Sequence, residues 1–274
     1  MTIAEIKGKI SDAGTNLSER MEDLLTSDIF GCLRYVPSEK ALLPFLRTAV
    51  SFKGKTLDIN DQISAVHCTF WPWLTSPGCI PCEPDVVIGL ETEGHLIHII
   101  GIEAKYHSDI SSEEDERVEP NDQLARELDN FNNTSPAAFK WRSGLVVVSR
   151  NLLYVTQDMS MPRDAIAKSL DEFTRKRKIE GDIFWTSWRF LPIILEKGSK
   201  NESDDGHRAV MEDMLSLLLR KGLMMFRGIE PCAERLKLAD YEFYRHRLIS
   251  YHWPDICKVS EIPWDYKYQG VTHD

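Results

Sequence analysis

Residues 83–107 read EPDVVIGLETEGHLIHIIGIEAKYH. Two apolar runs, DVVIGL and LIHIIGIEAKY, flank the turn-forming ETEGH, a pattern that predicts an antiparallel hairpin. Continuous apolar runs of this kind belong to a sheet covered on both faces. The charges sit at the ends: Asp85 opens the first run, and Glu103 and Lys105 close the second. Strand side chains alternate, so Glu103 and Lys105 point to one side and Ala104 to the other. Pairing through the turn at 91–95 brings Asp85 to the same end. Two neighbouring carboxylates repel unless a cation or a proton lies between them. A divalent ion with oxygen ligands resolves the conflict, and the backbone carbonyl of Ala104 offers a further ligand. A lysine beside such an ion can hold or help deprotonate a water and can stabilise developing negative charge. The plainer reading is a strand start after a proline turn, with Glu103 and Lys105 as an edge ion pair.

Upstream, Leu17, Met21, Leu24 and Leu25 recur at helical spacing, with Glu19, Glu22 and Asp23 on the other face. TSDIFGCLRYV is expected to leave this helix through a turn. SEKALLPFLRTAVSF reads as a second helical piece at Pro44. ISAVHCTFWPWL reads as a strand with an aromatic loop, and TSPGCIPCEP as a turn-rich entry to the hairpin. Downstream, residues 109–120 carry six acids and one arginine and read as a solvated loop. NDQLARELDNF predicts a helix capped by Asn121 or Asp122, with Leu124, Leu128 and Phe131 toward the core. GLVVVS is expected as a buried strand, 160–178 as a helix ending in RKRK, and DIFWTSWRFLPIIL as a further strand. HRAVMEDMLSLLLRKG predicts an amphipathic helix stopped at Gly222. A strand-like piece, a helix near 232–249 and an aromatic tail follow. The fold class is α/β with a mixed central sheet flanked by helices. Residues 1–200 are expected to form the core with its N-terminal helices, and 201–274 a C-terminal helical extension packed on it.

The 274 residues are 42 % hydrophobic, enough for one substantial core. With 33 Lys and Arg against 43 Asp and Glu, the net charge of −10 is unlike that of a stand-alone duplex-coating protein. Six dispersed cysteines suit a reducing compartment, and no apolar stretch reaches spanning length. The expectation is a cytoplasmic protein with no membrane partner. Glycine-rich phosphate loops, dinucleotide fingerprints and acyl-transfer motifs are absent from the sequence.

Pro84-Asp85 followed by Glu103-Ala104-Lys105 resembles the signature of the PD-(D/E)XK nuclease superfamily, the restriction-endonuclease-like proteins. The resemblance covers roughly residues 16–150. It implies an αβββαβ core, here with a C-terminal α/β extension, and hydrolysis of DNA phosphodiesters with Mg²⁺ or Mn²⁺. It further implies that Glu22 is the acid supplied by the helix before the sheet, with Glu19 or Asp23 as alternatives. Gln123 matches the glutamine of the helix after the second strand. On this resemblance Asp85, Glu103, Glu22 and the Ala104 carbonyl hold the metal, while Lys105 and Gln123 complete the catalytic set. Relatives often serve microbial or antiviral defence, and many need a homo-oligomer, protein partner or activator. Two alternatives stay open: a non-catalytic nucleic-acid-binding or scaffold protein on the same fold, and a transposase-type strand-cleaving subunit.

Other residues carry weaker signals. Cys79 and Cys82, with His67 and Cys68 upstream, admit a metal site, against ordinary loop thiols. His107 shares the parity of Lys105 and is expected near the rim; His98 has the opposite parity and reads as packed or surface. Arg175-Lys176-Arg177-Lys178 either touches phosphates or closes a helix where cations are favoured. Trp185, Trp188 and Phe190 either stack on bases or pack the core. Arg189 is a candidate phosphate or partner contact, and helix 208–221 a candidate interface.

Overall fold

The computed structural model describes residues 17–59, 61–106 and 120–225, with side chains from residue 21 onward. The chain divides into two units, 1–226 and 227–274, and the second lies outside the described residues. So do the helix expected near 232–249, the aromatic tail, His107 and nearly all of the acidic loop.

The hairpin forms as its pattern predicts. Strands β3 (Val86–Thr92) and β4 (Leu96–Ala104) pair antiparallel, with Val86 opposite Ile102 and Glu91 opposite Ile97. The connection is one turn of 3₁₀ helix in which Gly94 takes φ 77°, a left-handed conformation that costs glycine little. On one side β2 (Ile63–Phe70) adds antiparallel to β3. On the other, β5 (Val146–Thr156) runs parallel to β4, and β6 (Ile183–Ser187) parallel to β5. The two-residue β1 (Val50–Ser51) closes that edge, so the six strands run in the order β1-β6-β5-β4-β3-β2. The class is therefore α/β with a mixed six-stranded sheet flanked by helices.

Helices cover both faces. One layer comprises α1 (Leu17–Leu33), α2 (Leu42–Leu46), α5 (Leu191–Lys200) and α6 (Asp205–Arg220). Its core joins Leu25, Ile29, Phe30 and Met214 to Ile100, Ile102, Leu153 and Val155 of the sheet. The other layer is α3 (Gln123–Asn133) and α4 (Arg163–Arg177), packed on Leu152, Tyr154, Val87 and Ile99. Gly101 lets α3 close on β4, because a methyl group there would meet the Phe131 ring at 3.2 Å. Asp122 caps α3 by accepting from the Ala125 amide at 3.0 Å, which fixes where Gln123 begins the first turn. No described helix is long and apolar enough to cross a membrane.

Three expectations are corrected. Helix α1 does not end in a turn after Leu25; Ile29 and Leu33 extend its buried stripe at four-residue intervals. GLVVVS is the exposed start of β5, with Val146 59 % and Val148 51 % exposed, and the buried part is LLYVT. The strand expected over DIFWTSWRFLPIIL stops at Ser187, whose hydroxyl accepts from the Arg189 amide. Pro192 then sits in the first turn of α5, where its missing N–H costs nothing.

Candidate metal centre

The C-terminal end of β4 and the start of β3 meet on the α3 side of the sheet. The pairing of Val86 with Ile102 brings Asp85 opposite Glu103, one step further along. Asp85 is anchored at both oxygens. Its Oδ2 accepts from the Ala104 amide at 2.9 Å, and its Oδ1 from the Trp71 indole N–H at 3.1 Å. The resemblance assigned Ala104 a carbonyl ligand; the contact with Asp85 is made by its N–H.

Glu103 and Lys105 share a face, as their parity requires: Lys105 Nζ lies 2.7 Å from Glu103 Oε1. The same oxygen accepts from Gln123 Nε2 at 2.6 Å, so α3 is tied directly to the end of β4. Glu22 arrives from the opposite helical layer. Its Oε1 accepts from Lys105 Nζ at 3.2 Å and its Oε2 from the Tyr106 amide at 2.9 Å. Carboxylate oxygens of Glu22, Asp85 and Glu103 all lie within 4.8 Å of one another. It is Glu22, not Asp23, that joins this group; the Glu19 side chain lies outside the described residues.

All three acids and Lys105 are buried. Burial, reinforced by the Glu103 carboxylate, holds the Asp85 carboxyl well above the usual range. Glu103 is pushed up by burial and then by Glu127. For Lys105 burial acts downward, but Glu103, Glu22 and Asp85 outweigh it and its pKa rises, so the ammonium stays charged. Three carboxyl groups crowd around one lysine, and burial holds two of them toward their neutral forms where no cation offsets their charge. A hard divalent cation suits a donor set made only of carboxylate oxygens, and thiolate-seeking metals do not. The buried cluster of Glu22, Asp85 and Glu103 fits such an ion.

Two residues escaped the sequence reading. Glu127 stands one helical turn after Gln123, and Gln123 Nε2 donates to its Oε1 at 3.1 Å as well as to Glu103. Burial pushes the Glu127 carboxyl up to about 7, and its Oε2 has no hydrogen-bond partner among the described residues. The four-residue spacing in QLARE was the available signal. Trp71 is the second; its bond to Asp85 depends on the register of β2 against β3.

The weaker candidates resolve mostly as structure. Lys176 Nζ lies 2.7 Å from the Asp129 carboxylate, and Arg177 pairs with that carboxylate too. Half of the basic run is thus committed to a fully buried acid. Arg189 donates to the carbonyls of Gln157, Gly222 and Met224. Trp185 and Trp188 are buried in the core, and Trp188 stacks on Phe45. His98 is buried between Ser149 and Asp61, each 2.8 Å from a ring nitrogen. Cys79 Sγ accepts from Arg177 Nη2 at 2.8 Å, and burial raises the thiols of Cys79 and Cys82. Among the described residues, the one group of acids, histidines or cysteines gathered closely enough for a metal is Glu22, Asp85 and Glu103. Compared with known proteins, the chain matches no family model, no curated protein and no solved structure.

Proposed function

We propose that this chain is a divalent-metal-dependent nuclease of the PD-(D/E)XK type that hydrolyses DNA phosphodiesters. The supporting observation is the convergence of Glu22, Asp85 and Glu103, from separate elements, around the buried Lys105. Asp85, Glu103 and Glu22 would hold Mg²⁺ or Mn²⁺, with the Ala104 carbonyl as a further ligand. When bound, such an ion supplies polarisation of a phosphoryl oxygen and acidification of water. The Lys105 ammonium, already between Glu22 and Glu103, orients the attacking water and offsets charge developing on the phosphate. Gln123 fixes the Glu103 carboxylate through its amide and so aims one ligand oxygen. Water then attacks phosphorus in line, and one P–O bond breaks. The net charge of −10 favours substrate delivery through a protein partner, activator or second copy over unaided capture of duplex DNA. A role in microbial defence rests on the resemblance alone.

The test is cleavage of plasmid, linear duplex and single-stranded DNA with Mg²⁺ or Mn²⁺ and with EDTA. Asp85→Ala and Lys105→Ala should each lower the rate by about 1,000-fold or more while circular dichroism stays unchanged. Cleavage that survives both substitutions sinks the assignment. Metal-independent DNA binding without cleavage would favour a scaffold on the same fold.

A further inference from the structure

We propose that Trp71 is a positioning residue for Asp85, its indole N–H setting how the carboxylate presents itself to a divalent ion. The inference rests on the metal-centre reading and extends it to a residue outside the ligand set. Trp71 follows the last residue of β2, and its backbone amide donates to the Asp85 carbonyl at 2.9 Å, continuing the β2–β3 ladder by one rung. That rung brings the indole to Asp85, and Nε1 donates to Oδ1 at 3.1 Å in a buried contact. The backbone of Trp71 is left-handed, with φ 46°. For a bulky residue this conformation is strained and persists only where the surroundings enforce it.

Filling the core does not require a strained tryptophan; a phenylalanine would do that without the N–H. What the tryptophan adds is a neutral donor on one oxygen of Asp85, while the Ala104 amide takes the other. Two fixed donors leave the carboxylate little freedom to rotate. Partners of this kind orient ligating groups, and their loss weakens metal binding by about 10- to 100-fold. Of the two donors, the indole is the one that can be deleted without altering the backbone of β4.

The experiment compares wild-type protein, Trp71→Phe, Trp71→His and Asp85→Ala as full chains. Mn²⁺ affinity is measured by calorimetry, and DNA cleavage across a Mg²⁺ series. Trp71→Phe should bind Mn²⁺ about 10- to 100-fold more weakly and need correspondingly more Mg²⁺, with the rate recovering at saturating Mg²⁺. Trp71→His, which keeps a ring donor, should regain part of the affinity. A role in packing alone would not produce rescue by metal or by the histidine. Folded Trp71→Phe with wild-type Mn²⁺ affinity overturns the proposal while leaving the centre intact. Asp85→Ala with unaltered Mn²⁺ affinity overturns the metal-centre reading itself. Should Trp71→Phe not fold, ¹⁵N-tryptophan spectra of the wild type decide. One indole resonance should move with Mg²⁺ occupancy and also on Asp85→Ala; if none moves in either case, the proposal fails.

Discussion

Helix α3 carries two buried acids two residues apart, and they live in opposite electrostatic worlds. Asp129 faces α4, where Lys176 and Arg177 both pair with it. At the far end of the β3–β4 hairpin, Glu91 is likewise held by Arg142 and by His67 at 3.0 Å. Burial and then Arg142 lower the pKa of that histidine, so it serves as a neutral partner. Glu127 faces the other way, toward Glu103, with one oxygen unpartnered among the described residues. There Lys105 stands against Glu22, Asp85, Glu103 and Glu127. Burying a charge is costly unless it is paired. Where acids serve architecture, the fold supplies the cations; where they gather at the end of β4, one lysine faces several carboxyl groups, three of which could hold a metal ion. The imbalance, more than the presence of acids, sets this region apart.

Substitutions that remove charge should therefore act with opposite sign in the two regions. Asp129→Asn strips Lys176 and Arg177 of their partner and should cost about 3 kcal/mol, equally in EDTA and in Mg²⁺. Glu103→Gln removes a carboxyl whose ionisation burial and Glu127 oppose, and its new amide can donate to Glu127. In EDTA it should stabilise by about 1–2 kcal/mol while eliminating cleavage, because functional sites trade stability for activity. Denaturant melts of both variants, with and without Mg²⁺, read this out; two shifts of the same sign would break the contrast.

A pH series sharpens it. The Glu127 carboxyl is raised from 4.5 to about 7, so the folded metal-free protein holds this proton more tightly than the unfolded chain does. Its contribution is fully present below pH 4.5 and is lost as pH rises through about 7, a loss on the order of 3 kcal/mol. Asp85 and Glu103 are shifted in the same direction and add to the slope. Glu127→Gln should flatten the decline in EDTA, as should Mg²⁺ on the wild type; a slope unchanged by both would separate Glu127 from the centre. The smallest effect is expected from Gln123→Ala, about 10-fold on the cleavage rate, because the amide aims Glu103 without replacing any ligand. Single-turnover kinetics on one DNA substrate would measure it.

Parity made the central hairpin legible, since a period of two leaves little choice about which side chains share a face. That fixed Glu103 with Lys105 and brought Asp85 beside them. Glu22 was within reach only through the resemblance, because nothing in its own helix says that α1 passes the end of β4. Trp71 was out of reach: its role depends on strand register and on a left-handed turn that no local pattern announces. Glu127 is visible in the sequence as spacing but not as chemistry, because the apolar residues alone define the helix face there. The basic run at 175–178 admits two readings in sequence, phosphate contact or helix closure, and the structure sets it in the last turn of α4. A row of cations looks like a phosphate site until the buried acid that claims two of them is found in another helix.

Glu22 and Gln123 reach the centre from opposite sides of the sheet, one from each helical layer. On the proposed reading, a chain whose α1 layer is undocked would lack Glu22, one of the three carboxylates, and would hold a divalent ion less tightly than the finished protein. By mass action such an ion would draw the folding equilibrium toward completion.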